Sequence, residues 1–365
     1  MQEALDQFLL RHITHAPVAK VVAEFLALGV GVSFFLTRWI SRLPFEKSFW
    51  GPATCPHCDA RIAWYDQIPI LSFCWLRGCC RCCRAAIPRQ LLGIEICTPL
   101  LFASLTVTML HWGGQSNTDS GSIDWIHYRV LYHLTLVTLL IAATAIDLDY
   151  YIIPDEITIP GMIIGVVGAT WGSNLQLVPV WIDWNNLYLV IEGAYIPAWI
   201  KEHGHLHGLA WSLAGLITGA GITWIVRATG RLLLGVEAMG FGDVTLMAMI
   251  GSFLGWQPVI FAFLLAPLCG MILGPVLQFT VGRIAIPFGP YLSAGAILVL
   301  FTWKHLWEPS RSIFGHAPSL ALLAGCSLGG LVGLLALLRL YRAIPIPTRH
   351  NSEKSVNHDS TPPTT

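Results

Sequence analysis

Apolar residues in this chain come in long blocks rather than in alternation with polar ones. Such blocks occupy residues 18–40, 91–111, 130–146, 157–172, 209–226, 244–256, 259–281, 291–303 and 319–338. A perpendicular helix needs about 20 apolar residues to cross the hydrocarbon core. Several blocks are shorter, so the pattern predicts eight or nine transmembrane helices. Within lipid each backbone amide must be satisfied inside its own segment, and the expectation is an all-α polytopic membrane protein.

Composition agrees with this pattern and narrows it. Hydrophobic residues make up 55% of the 365 positions and charged residues only 12%, with a mean hydropathy of +0.63. These values exclude an ordinary soluble globule, and no basic stripe marks a nucleic-acid partner. The net charge of zero conceals an asymmetry. If the first helix runs from outside to inside, fifteen of the twenty-one Lys and Arg residues fall inside. Only Arg11, Lys20, Arg129, Lys201, Lys304 and Arg311 fall outside, as positive charge near span ends requires.

The blocks also divide the chain. Residues 18–43 read as a retained first anchor, because no small-residue cleavage site follows the apolar run. Residues 44–90 form a polar, cysteine-rich insertion on the inner side. Its Trp50, Trp64, Tyr65 and Trp75 build a minor core or lie at headgroup level. Residues 91–340 are the membrane bundle, interrupted by an outer insertion at 173–207. The Pro-, His-, Ser- and Thr-rich stretch 344–365 is expected to be disordered.

Seven of the ten cysteines lie between Cys55 and Cys83. Cys55-Pro-His-Cys58 and Cys80-Arg-Cys-Cys83 are two C-x-x-C hooks, the spacing that lets four thiolates surround one tetrahedral Zn2+. Cys79 and Cys82 offer a competing register. An inner location disfavours disulfides, so a structural Zn2+ is expected. His57, between two of the proposed ligands, reads as exposed or as supporting them.

Two acids at span ends carry the candidate chemistry: Asp147 in Ala145-Ile146-Asp147-Leu148-Asp149, and Asp243 in Gly240-Phe241-Gly242-Asp243. Either one alone reads equally well as a cap or a solvated boundary. Together they could share a proton and hydrolyse a peptide bond, one as base and the other as acid. Asp149 reads as facing headgroups and Asp155 as capping the next helix. His203, His205 and His207 read as exposed imidazoles rather than metal ligands, and Ser33 and Ser212 as packing hydroxyls.

Taken with their order and spacing, several further motifs make residues 29–300 resemble the type IV prepilin peptidase family. These are Ser41-Arg42-Leu43-Pro44, Trp64-Tyr65-Asp66-Gln67-Ile68-Pro69, Leu76-Arg77-Gly78, Ile152-Ile153-Pro154-Asp155 and Ile286-Pro287-Phe288-Gly289-Pro290-Tyr291. The resemblance implies an inner-membrane aspartyl protease whose catalytic pair matches Asp147 and Asp243, both near the cytoplasmic side. It implies cleavage of a basic leader from type IV prepilins or type II secretion pseudopilins. It also implies N-methylation of the new terminus, with S-adenosylmethionine as donor and the Gly78 region involved. Three departures stand out: Thr245 replaces the usual Lys, Cys79 replaces an Arg, and the outer insertion is long, leaving the two acids ninety-six residues apart. A catalytically silent assembly scaffold would tolerate these changes and is the competing reading.

Overall fold

In the computed structural model, the structure describes residues 2–43, 51–55, 57–113, 123–172, 175–178, 202–235, 239–281, 287–315 and 317–343. They form helices α1 (Gln2–Ile40), α2 (Leu71–Trp75), α3 (Arg89–Gly113), α4 (Ile123–Tyr150), α5 (Asp155–Gly172), α6 (Gly204–Leu234), α7 (Phe241–Leu254), α8 (Trp256–Val281), α9 (Gly289–Gly315) and α10 (Ala317–Ala343). Five of them, α1, α3, α4, α6 and α8, contain segments long and apolar enough to cross a membrane. The protein is therefore an all-α polytopic membrane protein with at least five spanning helices. Residues 179–201 of the outer insertion, the stretch 44–50 with Trp50, and the tail 344–365 lie outside the described residues.

Boundaries differ from the hydropathy reading where backbone and side chains obey different rules. Helix α1 begins at Gln2, well before its apolar span Val18–Ile40, because hydropathy marks only the part suited to lipid. The block read as 244–256 becomes the 14-residue α7, about 21 Å long and too short to cross alone. Gly255, at φ +85°, breaks the chain between α7 and α8, and the indole of Trp211 fills the space that a Cβ there would need.

Helix α7 is the buried centre of the bundle. Leu246, Met247, Met249, Ile250 and Phe253 are all fully enclosed. Helix α6 crosses it backbone against backbone: a Cβ on Gly215 would strike the Gly251 carbonyl, and one on Gly219 the Met247 carbonyl. This is the close approach that small residues permit in membranes. Polar side chains fasten the crossing. The Tyr132 hydroxyl on α4 donates to the Gly165 carbonyl at 2.8 Å and the Ser252 carbonyl at 3.2 Å. Ser212 does more than pack, since its hydroxyl donates to the same Ser252 carbonyl at 2.7 Å. Ser33 bonds within its own helix, to the Val30 carbonyl at 2.8 Å.

Candidate active site

Asp147 sits one turn from the end of α4, after a run of buried Ala and Ile residues. The helix stops at Tyr151, which takes a left-handed φ of 58° while its N–H still donates to the Asp147 carbonyl at 2.9 Å. A tyrosine in this region is strained, which is frequent at functional sites. The reversal carries Ile153 back over the end of α4. Pro154 follows, and its carbonyl accepts the first amides of α5, from Ile157 and Thr158. Asp155 is therefore the first helical residue of α5 rather than its cap, and it favours the helix dipole.

Asp243 occupies the first turn of α7. Its Oδ2 accepts the Gly240 N–H at 3.2 Å, so the carboxyl helps to start the helix that forms the core. Both acids are buried, Asp147 at 4% and Asp243 at 8% exposure, and Asp243 lies near enough for its charge to act on Asp147. They differ in one respect. Asp147 Oδ2 lies in no hydrogen bond of full geometry among the described residues, and the Gly289 backbone N–H is the group that faces its carboxyl.

Two residues outside the acid pair organise this space. Gly289, the first residue of α9, lies directly against the Asp147 carboxyl, where a Cβ would overlap Oδ2. Ile153 touches both sides: its Cβ is 3.0 Å from the Cβ position over Gly242, and its Cδ1 is 3.0 Å from that over Gly289. The side chain is thus a wedge between the turn bearing Asp243 and the helix end facing Asp147. Sequence reading singled out the Ile-Ile-Pro-Asp and Pro-Phe-Gly-Pro motifs without assigning either residue this position. Gly289→Ala is expected to lower turnover by about 10²-fold through displacement of the Asp147 carboxyl, while helicity measured by circular dichroism is retained. Unchanged turnover would show that the carboxyl need not occupy this position. Thr245, where a Lys was expected, bonds back to the Gly242 carbonyl at 3.0 Å and steadies the same turn.

The cysteine hooks form a second cluster. Cys55, Cys58, Cys80 and Cys83 bring all four sulfurs within 4.8 Å of one another; Cys79 and Cys82 are not members. The two hooks have matching turns. Cys55 N–H donates to the Ala60 carbonyl and Cys80 N–H to the Ala85 carbonyl, and the residue after each hook, Asp59 or Arg84, takes a left-handed φ. The Cys55 and Cys83 sulfurs are 3.8 Å apart, which is the edge of a tetrahedron with zinc–sulfur bonds of about 2.3 Å. The N–H groups of Cys83 and Cys82 hold the Cys80 thiol down at about 7. Cys58, although the Ala60 amide lowers it, is pushed up to about 12 by burial and the neighbouring thiols. Four crowded thiols cannot all ionise together without a cation, so this donor set fits Zn2+.

Gly78, linked to methylation by resemblance, has a local structural reason. Its φ is +71°, its N–H donates to the Phe73 carbonyl, and the Phe73 ring lies 3.0 Å from where a Cβ would stand. Neither of two apolar cavities, about 300 Å³ beside Trp39 and about 500 Å³ beside Trp171, includes Gly78. Of the histidine tract, His203 and His205 are exposed, and His205 Nδ1 lies 2.8 Å from the Thr170 carbonyl. His207 is buried instead, because its position on α6 faces the bundle.

Comparison with known proteins places these features in one family. Residues 27–109 match the Bacterial Peptidase A24 N-terminal domain and residues 134–275 the Type IV leader peptidase family. The prepilin leader peptidase/N-methyltransferase of Aeromonas salmonicida (strain A449) is 32% identical over 252 residues, which is 68% of this chain and 70% of that protein. The Myxococcus xanthus (strain DK1622) protein of the same name is 30% identical over 257 residues, 70% of this chain and 63% of its own. That of Pseudomonas aeruginosa is 28% identical over 325 residues, 80% of this chain and 94% of its own. No solved structure matches. The chain belongs to the type IV prepilin leader peptidase family, and is an aspartyl protease of the membrane.

Proposed function

We propose that this protein removes the basic leader from type IV prepilins or type II secretion pseudopilins, with Asp147 and Asp243 as its catalytic pair. The observation that carries the reading is the pairing of two buried acids, Asp147 against the backbone of Gly289 and Asp243 in the first turn of α7, with the Asp243 charge acting on Asp147. The atoms balance simply. One carboxylate takes a proton from water as its oxygen attacks the scissile carbonyl carbon, and the other, protonated, gives its proton to the carbonyl oxygen. Collapse breaks the C–N bond, and the leaving amine takes a proton from the pair. The two acids share their protons, so the titration belongs to the pair.

In this reading all nine helices other than α2 cross or enter the membrane, and charge bias puts the acids and the cysteine domain on the cytoplasmic side of the bacterial inner membrane. Cys55, Cys58, Cys80 and Cys83 would hold a structural Zn2+, which ties the two hooks together and takes no part in hydrolysis. Methyl transfer from S-adenosylmethionine is proposed on the double name of the relatives.

Incubation of the purified protein with a prepilin-type substrate, read by mass spectrometry, tests both activities. The expected product lacks the leader and, when methyl donor is added, is one methyl group heavier. Complete cleavage without added methyl would remove the second activity for that substrate, whereas intact substrate would favour the scaffold reading.

A further inference from the structure

The cysteine domain presents an apolar edge that none of the described residues covers. On α2, Leu71 is 64% and Trp75 82% exposed, and Ile68 lies exposed just before them. Leu71 and Trp75 are four residues apart, on one face of the helix. Arg77, also exposed, follows two residues after Trp75, past the end of the helix. A Trp and a Leu turned outward together with a cation form the pattern of a surface that lies in a membrane interface.

The depth of this edge can be read from what holds α2. The Ile70 N–H donates to Glu95 Oε2 at 2.7 Å. Glu95 belongs to α3, five residues inside the apolar span that begins at Gln90, or about 7 Å along the axis from its inner end. Ile70 reaches this partner in a tight turn of positive φ, 62°, closed by the Leu71 N–H on the Pro69 carbonyl at 2.6 Å. Such a turn is strained and rare for a β-branched residue. A second tie comes from α1: Arg38, inside the span Val18–Ile40, donates to the Gly51 carbonyl and to Gln67 Oε1. The domain is therefore drawn down onto the helix ends rather than carried clear of them.

We propose that α2 is an interfacial anchor, with Leu71 and Trp75 inserted between the headgroups and acyl chains of the inner leaflet and Arg77 at the lipid phosphates. Its partner is the bilayer itself. The inference rests on the proposed inward placement of the domain, and it goes beyond the protease reading by stating what the exposed edge is for. Anchoring fixes the height of the domain relative to Asp147 and Asp243, where a membrane-embedded substrate must present its leader.

The test places a photoreactive benzoylphenylalanine at position 71 or 75 of the full-length protein, reconstituted in vesicles of phosphatidylethanolamine and phosphatidylglycerol. Met271, exposed within the α8 span, is the lipid-facing reference, and Arg61, exposed on the first hook, is the polar comparison. Positions 71 and 75 should yield lipid adducts within a few-fold of position 271. Adducts at 271 alone, or adducts at 71 and 75 only to a second copy of the chain or to added substrate, would overturn the anchor. This readout does not depend on proteolysis, so it stands or falls separately from the proposed activity. In a second measurement, Leu71→Glu with Trp75→Glu should lower cleavage several-fold in vesicles and leave it unchanged in detergent; an equal effect in both media would also overturn the proposal.

Discussion

Asp147→Asn and Asp243→Asn, made one at a time, are each expected to lower cleavage of a prepilin-type substrate by about 10³-fold or more, as loss of a general acid or base does. Asparagine has nearly the shape of aspartate but neither takes nor gives a proton at neutral pH. The substitution at 243 separates catalysis from architecture. The carboxyl of Asp243 also accepts the Gly240 N–H at the start of α7, and the amide oxygen of Asn can accept the same bond. A purely structural Asp243 would therefore leave an active Asn variant. At 147 the amide oxygen of Asn can likewise face the Gly289 N–H, so thermal stability should hold while turnover is lost. Normal turnover in either folded variant would refute the two-carboxylate mechanism.

Removal of zinc should have the second large effect, and a local one. Among the described side chains of residues 51–88, only Cys55 is buried, so this region has no apolar core of its own. Metal binding in such small domains contributes on the order of 10 kcal/mol, far more than its few ties can replace. Those ties include the bidentate Arg81–Asp66 pair, at 2.8 and 2.6 Å, its carboxylate largely enclosed and its guanidinium half-exposed, a single contact that is small beside four metal–thiolate bonds. About one zinc per chain is expected by elemental analysis. Cys55→Ser or Cys83→Ser should abolish it and open residues 51–88 to hydrogen exchange while α4 and α7 stay protected. Cys79→Ser and Cys82→Ser should keep the metal. Loss of zinc from these two, with none from Cys80→Ser or Cys83→Ser, would assign the competing register. Full protection of 51–88 without metal would show that zinc is dispensable to the fold.

The sequence alone determined the class of this protein and much of its chemistry. Transfer to lipid is additive along a segment, so blocks of apolar residues announce spanning helices wherever they pack. Family motifs and the spacing of Cys55, Cys58, Cys80 and Cys83 are likewise local, because a C-x-x-C turn positions its sulfurs without distant help. What required the tertiary structure were the contacts between distant segments. Asp147 and Asp243, ninety-six residues apart, lie together because α4 and α7 enter one core. The unassigned Ile153 and Gly289 belong to their site because a left-handed Tyr151 turns the chain back over it. His207 was expected to be exposed and is buried, since hydropathy averages over a helix and cannot say which face meets the bundle. The boundary between α7 and α8 falls at Gly255, whose positive φ ends α7 where the Trp211 indole occupies the space a Cβ would need. The docking of the cysteine domain on the ends of α1 and α3 was decided in the same way. Its ties, from Ile70 N–H to Glu95 and from Arg38 to Gly51 and Gln67, join polar groups whose pairing no local pattern encodes, because only the folded chain brings them within reach.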